Sequence, residues 1–140
     1  MSGDATLPNW PDGSVLILVT GGPEPHAIPV SAAVRGGDMR LLLGLAHSRE
    51  SLRRLRIQPR VAVAILGPGD VAVTAYGDAT VVREDLVEGV AAVAVDVERV
   101  QDHNRSTFVI ESGVGWRWTD PEALERDAEV RAALGRLAQA

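Results

Sequence analysis

The residues with the most chemical potential lie between Ser48 and Arg56, where two serines and four arginines share nine positions (SRESLRRLR). Leu52 and Leu55, with Ile57 just beyond, fall near helical spacing, which places the arginines on the remaining positions of a short helix. Ser48 is expected to cap its start, with Ser51 inside the first turn, and Pro59 to stop it. Helix-start N–H groups and guanidinium forks both suit a phosphate. The same run also suits a solvated basic face balancing an acidic chain.

The other reactive side chains are dispersed. His26, His47 and His103 show no i, i+4 pair of the kind that binds a metal on a helix, so no metal site is expected. His47, just before the arginine-rich segment, is the histidine best placed for a ligand. Asp96/Glu98 and Glu84/Asp85 are neighbouring carboxylates with nothing to mark them as an acid–base pair. There is no Cys, which removes thiolate chemistry, and no GxSxG, Walker loop or dinucleotide fingerprint. Trp116 and Trp118 stand two residues apart on an expected strand, so both should face one way. Such a patch suits an interface or the packing of a helix.

Short strands and Gly/Pro turns must position these groups. Strands are expected at Ser14–Thr20, His26–Arg35, Met39–Gly44, Arg60–Leu66, Val71–Val82 and Val90–Val100, with a last pair at Thr107–Glu111 and Val114–Trp118. Pro29 removes a ladder donor and argues for an edge or a bulge. Gly77 should bend its long strand, and Arg83–Gly89 reads as a short connection or helix. Thr119 and Glu122 form a capping-box pattern, with Pro121 in the first turn of a terminal helix. Leu124, Ala128, Leu134 and Leu137 give that helix an apolar side. Seven or eight strands and two helices without βαβ alternation imply a mainly β fold, a small antiparallel barrel with flanking helices. One domain over 1–140 is expected, with an N-terminal tail over 1–12 and a C-terminal helix over 119–140.

Bulk properties narrow the partners. The net charge of −5 argues against nucleic acid. Every one of the 14 basic residues is Arg, which a GC-rich genome explains most simply. No apolar run is long enough to span a bilayer and Met1–Asn9 lacks the pattern of a signal peptide, so a cytoplasmic protein without a membrane partner is expected.

The order of parts resembles the pyridoxamine 5′-phosphate oxidase-like, FMN-binding split-barrel family from about Gly13 to the terminal helix. The resemblance rests on Pro25–Val30 (PHAIPV), His47–Ala62, Ala75–Ala79 (AYGDA), and Val97–Val100 leading into Trp116–Trp118. It implies a homodimer with two cofactor sites at the interface and a small-molecule substrate. It places Ser48, Arg49, Ser51 and Arg54 at the flavin phosphate, and Ile28, Pro29, Val30, Ser31, Leu43 and Gly44 along the ring. Trp116 of the partner subunit would then cover the ring. The implied activity is hydride transfer between FMN and a small organic substrate. A deazaflavin coenzyme on the same fold is an alternative, as is a flavin or haem carrier or a cofactor-free module. The oxidase proper carries Arg on the second strand where this chain has Ile28, which points away from pyridoxamine phosphate as substrate.

Overall fold

The computed structural model describes residues 5–140. The first four residues of the tail expected over 1–12 lie outside the described residues. Among the described residues, seven strands form one antiparallel sheet: β1 (Leu16–Thr20), β2 (His26–Val30), β3 (Ala33–Gly37), β4 (Arg40–Ala46), β5 (Arg60–Gly67), β6 (Val71–Val87) and β7 (Val90–Asp102). Helix α1 (Glu50–Ile57) joins β4 to β5, and α2 (Pro121–Ala138) ends the chain. The strand order is β2-β1-β5-β6-β7-β4-β3. Its two edges, β2 and β3, are consecutive in sequence and separated only by Ser31 and Ala32. A sheet whose edges are tied by two residues must curl until they approach, and the product is an open, split barrel.

Alternation fills the interior. Leu16 and Leu18 of β1, Leu41, Leu43 and Leu45 of β4, Val61, Val63 and Ile65 of β5, and Val93 and Val95 of β7 form the main core. The opposite faces of β4 and β7 are buried too. Leu42, Ala92 and Ala94 pack with Ala32 and Val90 against Val130 and Leu134 of α2. Burying each of those two helix side chains contributes about 1.5–3 kcal/mol. Gly44 shows how close the helix lies: a Cβ there would stand 2.5 Å from Val130 Cγ1.

Several expectations are corrected. The strand expected over His26–Arg35 divides at Ser31–Ala32, because its halves pair with different neighbours, β1 and β4. Pro29 does sit on an edge strand, opposite Ile17. Arg83–Val87 continues β6 rather than forming a connection, and closes on β7 with Val87 opposite Val90. Thr107–Glu111 and Val114–Trp118 are not strands; the chain from His103 to Thr119 is an irregular arm. Helix α1 starts at Glu50, with Arg49 at the N-cap and no side-chain cap, so Ser48 lies in the preceding turn. Ile57 is exposed. Asp120, not Thr119, caps α2, its side chain accepting from the Glu122 N–H at 3.0 Å. The buried face of α2 is Asp127, Val130, Ala133 and Leu134, while Leu124 is exposed. The end of the N-terminal segment is anchored: Leu7 is buried, and Trp10 Nε1 donates to the Ala33 carbonyl at 3.1 Å.

Candidate functional site

The split produces a pocket of about 250 Å³. One wall is the β2–β3 crossing, Pro29 to Ala32, with Gly44 and Ala46 of β4 beside it. The facing wall is α2, through Ala123, Arg126, Asp127 and Val130. Trp116 and Trp118 close one side, their ring centroids 5.4 Å apart and the planes tilted by 56°. Arg49, from the turn before α1, lines the same space.

Each wall has a local cause. The crossing cannot continue as one strand, so Ser31 turns its hydroxyl toward α2 instead of into a ladder. Its Oγ donates to Asp127 Oδ1 at 2.7 Å, a buried bond, and Arg131 Nε donates to Oδ2 at 2.9 Å. A buried carboxylate needs such partners; Arg131 belongs to α2 itself, so the Ser31 bond is the one that ties α2 to the crossing. Arg49 Nη2 donates to the Pro29 carbonyl at 3.3 Å, and Arg126 donates to the Glu88 carbonyl in the β6–β7 hairpin.

The residues singled out from sequence fall into two groups. Pro29, Val30, Ser31, Gly44, Arg49 and Trp116 line this one pocket, although they come from four separate stretches. Trp116 covers the pocket of its own chain, where the resemblance supplied it from a partner. The remainder stand elsewhere. Ile28 and Leu43 pack on or in the barrel core. Arg54 donates to the Gly21 and Glu24 carbonyls and to Glu50, whose carboxyl it holds below the usual range by hydrogen bond and charge. Ser48 lies in the turn, and Ser51 is buried with no partner for its Oγ among the described residues. His47 Nε2 donates to the Glu84 carbonyl at 2.7 Å. Glu84 is paired with Arg56, whose hydrogen bond lowers its pKa.

Sequence reasoning missed the α2 contribution. Asp127 and Arg126 carried no motif, and the only available signal was an acidic residue in register with Val130 and Leu134. Among the described residues no group of three or more histidines and carboxylates is placed to hold a metal, and no helix is long and apolar enough to cross a membrane.

No protein-family model and no curated protein matches the chain by sequence. Solved structures do match. A pyridoxamine 5′-phosphate oxidase-like protein from Listeria innocua superimposes with a TM-score of 0.56 at 17% identity, over 66% of this chain and 90% of that one. An F420 reductase gives a TM-score of 0.57 at 13% identity, over 65% and 91%. A heme binding protein from Mycobacterium smegmatis gives 0.52 at 22% identity, over 64% of this chain and 48% of that one. With its open seven-stranded sheet and C-terminal helix, the chain has the split-barrel fold of the pyridoxamine 5′-phosphate oxidase-like proteins.

Proposed function

We propose that the chain binds FMN in the pocket at the split and serves hydride transfer between the flavin and a small organic substrate. The observation that carries this is convergence: residues from β2, β4, the turn before α1 and the arm meet around one cavity. The residues present fit such a group. The walls are apolar at Val30, Ala32, Val90 and Val130, and aromatic at the two tryptophans, as a flat ring requires. Guanidinium groups line the pocket for a phosphate. Val130 fills the space over Gly44, which leaves a ring the volume between the β2–β3 crossing and the tryptophans.

The flavin, when bound, supplies the redox chemistry. The chain orients it: Arg49 fixes the charged end, Pro29 to Ser31 offer backbone groups to the ring edge, and Trp116 and Trp118 limit water on one face. Two copies are expected to pair and share substrate access, with the half-exposed tryptophans near that contact.

A deazaflavin coenzyme is the second reading, favoured by the similarity to the F420 reductase and by the arginines beside the pocket mouth. Haem has less support, because none of the three histidines lines the pocket.

Purified protein should be yellow, or become so when FMN is added and excess removed, with quenched flavin fluorescence. A deazaflavin coenzyme binding in place of FMN would favour the second reading, and a Soret band the haem carrier. Protein that takes up none of these sinks the proposal.

A further inference from the structure

Seven arginines form ion pairs within the described residues: Arg35, Arg40, Arg53, Arg54, Arg56, Arg60 and Arg131. Arg49 and Arg126 do not, and both line the pocket at the split. They reach it from opposite sides, Arg49 from the turn before α1 and Arg126 from the second turn of α2.

Three contacts bring their supports to one corner. The His47 N–H donates to the Gly89 carbonyl at 2.9 Å, joining the α1 turn to the β6–β7 hairpin. Arg126 donates to Glu88 in that hairpin, and its Nη2 lies 3.5 Å from where a Cβ on Gly89 would stand. Arg49 is tied to Pro29. Each guanidinium thus uses one backbone carbonyl as a stay. Each keeps most of its five N–H donors uncommitted among the described residues. The neighbouring carboxylate in the wall, Asp127, already has Ser31 and Arg131 as partners.

We infer that Arg49 and Arg126 form a two-sided clamp for a phosphate group at the mouth of the pocket. Arg126 makes α2 a ligand-binding element as well as a packing one. The inference deepens the flavin reading and rests on it for the identity of the ligand, though the clamp itself requires only a phosphate. Two forks on one phosphate give charge-assisted bonds that a neutral analogue cannot make.

The test compares FMN with riboflavin, which shares the ring and lacks the phosphate, and adds inorganic pyrophosphate as a ring-free probe. Arg126→Gln should weaken FMN binding about tenfold or more, as expected for one lost charge-assisted pair. It should leave riboflavin affinity unchanged and abolish the rise in melting temperature caused by pyrophosphate. Arg126→Lys, which keeps the charge and loses the fork, should fall between. Wild-type affinity for FMN, but not for riboflavin, should fall with added salt. Equal losses for FMN and riboflavin, or unchanged FMN affinity in Arg126→Gln, overturn the clamp and leave the flavin reading standing. A pyrophosphate response that needs both arginines, in protein that binds no flavin, upholds the clamp and removes that reading. No response to any probe overturns both. Circular dichroism of each variant without ligand separates misfolding from lost binding, and the wild-type salt series needs no variant at all.

Discussion

Asp127 is the residue on which the pocket wall turns. It is 9% exposed, and both carboxylate oxygens are engaged, one by Ser31 and one by Arg131. Removing it strands two donors, one of them a guanidinium only partly open to solvent. Asp127→Ala is therefore expected to cost about 1–3 kcal/mol, from unmet hydrogen bonding in a half-dry setting. Ser31→Ala, which removes one neutral donor, should cost about 1 kcal/mol. Urea unfolding checks both, and a midpoint for Asp127→Ala equal to wild type would refute the role given to this contact. Asp127 also shows why part of the site was hidden in the sequence. An acidic residue in a helix reads as solvent-facing, so the sequence pattern puts the apolar side of α2 at Leu124, Ala128, Leu134 and Leu137, of which Leu134 and Leu137 do pack on the sheet and Leu124 does not. The true face tolerates a carboxylate because Ser31, 96 positions away, meets it. No local pattern contains that partner.

At the level of the element, what was legible followed local chemistry. Strands bounded by Gly/Pro turns, the α1 leucines and the edge position of Pro29 each have causes within a few residues. Arg83–Val87 was not legible, since its run of charges lacks alternation; it is a strand because β7 pairs with it, Arg83 opposite Ala92 and Val87 opposite Val90. The arm around Trp116 erred the other way, with strand-like composition but no strand partner. The glycine expected to bend β6, Gly77, has a steric reason. It stands at a register shift between β6 and β7, where a Cβ would collide with the Asp96 carbonyl oxygen. Gly77→Ala should lower stability by about 1–3 kcal/mol through forced backbone movement. A thermal melt matching wild type would show that the shift absorbs a methyl group. Helix α1 adds a pH dependence. Glu50 and Glu84 have lowered pKa values, through hydrogen bonds from Arg54 and Arg56 respectively. A carboxyl lowered in the folded state stabilises above its unfolded pKa, about 4.3 for Glu, and loses that contribution as pH falls through the folded value. Both carboxylates are exposed, so the effect is small. Melting temperature should decline as pH drops below that range, and Arg56→Ala should flatten the decline by removing the share of Glu84. An identical slope in the variant would remove Glu84 from the account.

Across the whole molecule, one consequence comes from β4 and β7 being covered on both faces, by the barrel core on one side and by α2 on the other. The helix that completes the second cluster also supplies a wall of the pocket. The packing of α2 and the shape of the pocket are therefore coupled, while packing deep in the barrel is not coupled to it in the same way. Leu134 and Val63 separate the two cases, since both are fully buried, Leu134 on the face of α2 that meets the sheet and Val63 inside the barrel. Leu134→Ala should cost about 2–5 kcal/mol from lost contacts and the cavity left behind. Much of that loss should appear as undocking of α2, with the barrel still folded. Trypsin would then cut at Arg126, Arg131 or Arg136 well before the global transition, and FMN affinity would fall with the docked fraction. Val63→Ala should lower global stability while leaving the helix docked, tryptic protection of α2 intact and ligand affinity unchanged. Because proteolysis needs no ligand, this contrast holds whichever cofactor the pocket takes. If the two variants lose α2 protection in parallel, the helix and barrel unfold as one unit, and the site cannot be loosened without losing the fold.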